Sequence, residues 1–376
     1  MLKLFNTLWR SAAKQTNKIQ RKQAKKLIQQ LVPKSKPLKL SPASKTALKP
    51  RQRSPMIAPN ASWRRLRFIA TKVNLSLEVV PGSYLDYWLY QPSIMREGAV
   101  PLIVMLHGCA QTAVEFAEGT RMNQLGESKG FGVLYPQQTV RLNANRCWHW
   151  YKKPVQHGKG EAAMIAELIN HVVSQNGFDS SRIYLAGLSA GAAMAQIVAL
   201  QYPEMIAAVG LHSSPVNGAA HNAATAFAVM QGGSSHTKIG SDAVFSAAAK
   251  SLKMPAILIQ GLDDTVVRPV NLPGLETQFC QINGLNAAQR QPISRHAAGK
   301  TARSAHAFDT VDYKLGKRTL LRVCQIFDLQ HAWSGGDAAY RFNERKGPDA
   351  SRMLWNFFAR HRRQSVPELR APADLH

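Results

Sequence analysis

The pentapeptide Gly187-Leu188-Ser189-Ala190-Gly191 constrains this chain more than any other stretch. It follows a strand-like run, 182–186, and opens a small-residue helix, 192–200. A serine at such a junction sits on a sharp turn that holds its hydroxyl clear of both elements. Glycines flank it because a Cβ there would meet the neighbouring strand or helix. The pattern alone is weak: with Gly and Ser each near ~7% of residues, chance supplies it in about one chain in ten of this length. Its weight comes from the strand before it and the helix after it. For Ser189 to act as a nucleophile, the rest of the chain must supply a base and an acid.

The other strand-like runs set the architecture. Residues 83–91 alternate in polarity and are expected to pair with a strand at 75–80 across Pro81-Gly82. The unbroken apolar run 101–106 has the character of a strand buried on both faces of a parallel sheet. Runs at 131–135, 207–212 and 255–260 are shorter strands, and 308–315 pairs with 319–329 across 316–318. Helical spacing occupies 114–129, 161–175 and 350–362. Strands alternating with helices over some 300 residues predict an α/β fold: a mostly parallel central sheet with helices on both faces. No run of 18 apolar residues occurs, so no membrane span is expected.

Charge divides the chain. Residues 1–67 hold 18 Lys and Arg and no Asp or Glu, which leaves 30 basic against 22 acidic residues for the remainder. The net charge of +26 therefore belongs largely to an arm, and the folded body is only mildly basic. Residues 1–62 read as a basic amphipathic arm with a Pro/Lys-rich linker, 63–366 as the folded domain and 367–376 as a tail. The arm has no small-residue cleavage site and is not a secretory signal. A basic amphipathic helix suits an anionic surface, membrane or granule, whereas specific nucleic-acid binding is not indicated. The region 215–250, rich in Ala, Gly and Ser, is a candidate cap.

Each buried strand delivers a chemically loaded loop at its carboxyl end, where open α/β sheets place their sites. After Ser189 come Asp264, in Gly261-Leu262-Asp263-Asp264, and His331, in His331-Ala332-Trp333-Ser334-Gly335-Gly336. The order Ser, Asp, His is that of the α/β-hydrolases. His331 is expected to take the Ser189 proton and return it to the leaving group, and Asp264 to orient the imidazole, with Asp263 as the fallback. The backbone N–H of Ala190 and one from the His107-Gly108-Cys109 loop, that of Cys109, are the expected oxyanion donors. Neither cofactor nor metal is called for, and no cysteine pair has C-x-x-C spacing. Four cysteines leave two disulfides or four buried thiols equally open.

Leu106 to Gln111, Tyr135-Pro136, Cys147-Trp148-His149-Trp150, the elbow and the His331 to Gly336 loop together resemble the esterases of the polyhydroxybutyrate (PHB) depolymerase family, a group that feruloyl and acetylxylan esterases share. The resemblance covers roughly 70–360. It implies a serine esterase acting on carboxylic esters, nominally poly(3-hydroxybutyrate) or its oligomers, and extracellular work, against which stands the lack of a visible signal; a cytoplasmic, surface- or granule-associated enzyme is the alternative. It implies a Cys109–Cys147 disulfide beside the oxyanion loop, with Cys280–Cys324 as the second pair. Trp148, His149, Trp150 and Trp333 are expected to line an acyl cleft, and His212 to face the site. A rival of another class is a surface- or nucleic-acid-binding protein that uses the arm, with the hydrolase body as scaffold.

Overall fold

The structure is a computed structural model and describes residues 61–70, 83–93, 99–234, 252–299 and 305–363. The basic arm, the expected strand at 75–80, residues 235–250 of the expected cap and the tail lie outside the described residues.

Among the described residues ten strands form one sheet: β1 (Ser62–Ile69), β2 (Tyr84–Gln91), β3 (Val100–Leu106), β4 (Gly132–Gln137), β5 (Phe178–Leu188), β6 (Ala208–His212), β7 (Ala256–Gly261), β8 (Ser294–His296), β9 (Phe308–Leu315) and β10 (Arg318–Ile326). Their order is β1-β2-β4-β3-β5-β6-β7-β10-β9-β8. The six strands from β4 to β10 run parallel, and antiparallel strands flank them at both ends. Residues 62–69 were not legible as a strand because Arg64, Arg65 and Arg67 mask its apolar side. Across the pair with β2, Arg65 and Arg67 reach Asp86 at 3.1 and 2.6 Å.

The described helices are α1 (Ala113–Thr120), α2 (Met122–Lys129), α3 (Lys153–Gln156), α4 (Glu161–Asn176), α5 (Ala190–Gln201), α6 (Ala223–Gly232), α7 (Leu272–Asn283) and α8 (Ala350–Phe358). The single helix expected over 114–129 is two. Arg121 takes a left-handed φ of 55°, and Thr120 spends its hydroxyl on the Phe116 carbonyl at 2.7 Å. The continuous apolar strands follow from burial on both faces. Successive β3 residues point to opposite sides: Leu102, Val104 and Leu106 join a core with α4, α5 and α7, while Ile103 and Met105 join one with α1, α2 and α8.

The same alternation overturns one expected disulfide. Cys280 on α7 packs against the first core and Cys324 of β10 lies in the second, so the sheet separates them and both are free thiols. Cys109 and Cys147 are joined.

Candidate active site

The carboxyl ends of β3, β5, β7 and β10 carry His107-Gly108-Cys109, Ser189, Asp264 and His331. Ser189 adopts φ 59° and ψ −122°, a backbone that non-glycine residues occupy only where the surroundings enforce it. Enforcement is visible on each side. The Ser189 N–H donates to the His212 carbonyl at 3.0 Å, and the Ser189 carbonyl accepts from Ala193 at 3.0 Å. A Cβ at Gly191 would overlap the Leu106 and His107 carbonyl oxygens, and one at Gly187 would overlap the Gly191 backbone. Both glycines therefore serve close approach, as the pentapeptide implied.

His331 Nδ1 and Asp264 Oδ2 are 2.7 Å apart. Asp264 is 2% exposed. Its Oδ1 accepts the N–H groups of Val266 and Val267, both at 2.9 Å, and Gln260 Nε2 approaches Oδ2 at 3.4 Å. Burial alone would raise the pKa of Asp264. The charge and hydrogen bond of His331, with the two backbone donors, outweigh burial and hold it below the usual carboxylate range. Asp263 is exposed, with its N–H on the Leu329 carbonyl. The structure thus brings His331 to Asp264 rather than to its neighbour.

His212 ties Ser189 to the histidine loop. Its carbonyl holds the Ser189 N–H, its Nε2 accepts the Ser334 N–H at 3.3 Å, and its ring stacks on Trp333 with centroids 5.2 Å apart. Burial, with His331 nearby, pushes its pKa down to about 3, so the ring is neutral and Nδ1 donates to Ser213 Oγ at 3.1 Å. At 1% exposure it is an internal brace, not the substrate contact the sequence suggested. Trp333 and Trp148, each 1% exposed, likewise pack inside. Their indoles donate to Ser351 Oγ and to the His107 carbonyl, both at 3.1 Å. Trp150 is buried in the core with α3 and α4.

The loop after β3 lies against the serine: a Cβ on Gly108 would sit 3.6 Å from Ser189 Cβ. Gly108 N–H donates to Gln111 Oε1 at 2.9 Å and Ala110 N–H to the Asn145 carbonyl at 2.7 Å. Among the described residues, no partner takes the N–H of Cys109 or of Ala190. The disulfide to Cys147 fixes the loop to the segment 143–151. Burial pushes the His107 pKa down to about 4, so that ring is neutral. Its Nδ1 donates to the Gly108 carbonyl at 2.8 Å and its Nε2 accepts the Gln138 N–H at 3.1 Å.

Sequence reasoning missed the polar frame behind this loop. Gln138 Nε2 donates to Glu161 Oε1 at 2.7 Å, and Glu161 takes both the backbone N–H and Nδ1 of His149, at 2.7 and 2.6 Å. The one signal available was a glutamate opening a helix just before the apolar run 162–166. Among the described residues, no cluster of three His, Cys, Asp or Glu could hold a metal ion.

Comparison with known proteins covers the same region. A family model described as esterase PHB depolymerase matches residues 85–303. Poly(3-hydroxyalkanoate) depolymerase C of Paucimonas lemoignei is 34% identical over 214 residues, 55% of this chain and 50% of that protein. Feruloyl esterase B of Thermothelomyces thermophilus is 30% identical over 215 residues, 54% of this chain and 72% of that protein. The chain thus spans about half the length of the depolymerase. The solved acetyl xylan esterase from Aspergillus awamori superposes with a TM-score of 0.60 at 17% identity, over 79% of this chain and 99% of that one, a likeness of fold.

Proposed function

This chain belongs to the PHB depolymerase esterase family and has the α/β-hydrolase fold, and we propose on that premise that it hydrolyses carboxylic esters through an acyl-enzyme on Ser189. The observation that carries the reading is the 2.7 Å bond from His331 to a buried, ionised Asp264, together with a serine held at positive φ and tied through His212 to the histidine loop. Ser189 Oγ attacks the ester carbonyl while His331 Nε2 takes its proton. Asp264 fixes the tautomer with Nδ1 protonated and balances the imidazolium. The oxyanion receives the N–H groups of Cys109 and Ala190, each such donor being worth about 3 kcal/mol in the transition state. His331 gives the proton to the leaving alkoxide, and a water repeats the sequence to release the acid.

The nominal ester is poly(3-hydroxybutyrate) or its oligomers, in line with the name of the depolymerase relative. A feruloyl- or acetyl-ester substrate is the second reading, favoured by the larger share of feruloyl esterase B that aligns. Work outside the cell completes the proposal, supported by the Cys109–Cys147 disulfide, a bond that persists in oxidising compartments. The basic arm is assigned to contact with an anionic surface, on its composition.

The test is hydrolysis of p-nitrophenyl esters of graded chain length, with methyl ferulate and hydroxybutyrate oligomers alongside, by the intact protein and by Ser189→Ala. Equal rates in both would sink the mechanism. Inactivity of the intact protein on every ester, with tight binding of anionic vesicles, would favour the rival in which the arm is the function.

A further inference from the structure

A pocket that the reaction does not use lies at the other end of the sheet. Lys317, Arg318, Thr319 and Arg322, from the turn into β10 and its first half, face Phe357, Arg360 and His361 at the end of α8 around about 250 Å³. Arg318 is the first residue of β10, whose carboxyl end leads to His331. Eight rises of ~3.3 Å along this nine-residue strand put about 26 Å between the two ends. The pocket is therefore no subsite for an ester on Ser189.

Its charge is one-sided. The lining holds four cations and a histidine, and no carboxylate. Arg322 is spent on Asp312, whose two oxygens it engages at 2.7 Å each. Among the described residues, Lys317, Arg318 and Arg360 have no ion-pair partner. Cations past the end of α8 offset the negative end of its dipole, which accounts for Arg360. It does not account for Lys317 and Arg318, which come from the strand side.

His361 registers the resulting field. It is 3% exposed, and its Nδ1 has no hydrogen-bond partner among the described residues. Burial first, then Arg318 and Arg360, push its pKa down to about 4. Lys317, Arg318 and Arg360 are exposed, so the pocket is open to solutes, and a concave site lined by one sign of charge draws ions of the opposite sign.

From this geometry we propose that the pocket binds a small, multiply charged oxyanion of the phosphate class. Guanidinium groups present paired N–H donors that match such oxygens two at a time. The volume falls just below the ~300–1,000 Å³ of ordinary small-molecule sites, which suits a compact ligand. The inference does not depend on the esterase reading.

Inorganic pyrophosphate is the probe, titrated calorimetrically into the full chain and into the double variant Arg318→Gln, Arg360→Gln. Comparison within the full chain cancels whatever the basic arm binds. The wild type should show one saturable site that the variant binds at least tenfold more weakly, with thermal midpoint and p-nitrophenyl ester hydrolysis unchanged. Phosphatidylcholine vesicles with and without a phosphoinositide distinguish the source: their variant-sensitive capture points to a phosphorylated headgroup, and its absence to a free anion. Should the double variant lose its fold, Lys317→Gln alone should still weaken pyrophosphate severalfold. Equal affinity of wild type and folded variant, or no saturable site in the wild type, overturns the proposal.

Discussion

Replacing His212 with Phe separates the brace from the chemistry. Phe keeps a ring against Trp333 and removes the acceptor that Ser334 N–H uses at 3.3 Å. A buried donor left unpaired costs about 1–3 kcal/mol, and a bond near the long end of the range places this one in the lower half. If the loop stays in place, a loss of about 1–2 kcal/mol should lower the thermal midpoint by roughly 2–5 °C. If the loop instead moves to satisfy Ser334, His331 moves with it, and about 1 Å of misplacement costs on the order of 10²-fold in rate. Either stability or kcat must fall. His212→Gln, which retains an acceptor, should recover part of whichever is lost. Calorimetry and steady-state hydrolysis of p-nitrophenyl butyrate read both quantities. A His212→Phe protein with the wild-type midpoint and the wild-type kcat would refute the argument.

Asp264→Asn should cut kcat on the order of 10³–10⁴-fold with little change in KM, since it removes the partner of His331 Nδ1; Asp263→Asn, on an exposed residue, should leave kinetics unchanged. Acid should destabilise the fold early. His107, His212 and His361 are held neutral with pKa values lowered to about 4, 3 and 4, so in the unfolded chain each binds a proton below about 6.5 that the folded chain refuses. Their stabilisation is complete above that pH and is lost as pH falls towards 4, at up to about 4 kcal/mol per unit, measurable from urea midpoints between pH 7 and 4.5. Asp264 acts only lower, where pH falls through its depressed value. Thiol titration of the denatured, unreduced protein should find two free thiols, Cys280 and Cys324, and four after reduction. Losing the 38-residue link should cost stability by up to about 4 kcal/mol on the chain-entropy model.

What the sequence revealed and what it hid have physical reasons. The buried parallel strands and the elbow were legible because burial on both faces and close backbone approach each restrict residue type over several adjacent positions. Asp264 stood out from Asp263 by its spacing to Gly261 and Val267, and the geometry turns on the same residue because Oδ1 caps Val266 and Val267. Side-chain direction was not legible. Trp148, Trp333 and His212 were expected at the cleft, but aromatic residues at a strand end do not reveal whether they face solvent or core, and all three are buried. Cys280 and Cys324 failed as a pair because strand parity, invisible in a count of cysteines, turns Cys324 to the face of the sheet opposite α7, which carries Cys280.

The strand order has a consequence for the timing of synthesis. The proposed nucleophile, acid and base follow β5, β7 and β10, and β10 docks beside β7 only after the β8 and β9 segments have been made. A nascent chain that has just completed β7 can hold the elbow serine but has no imidazole to deprotonate it. On the proposed mechanism, hydrolytic competence therefore arrives in one late step, when the final hairpin joins the sheet and α8 covers its face. Until then the ribosome carries an inert serine.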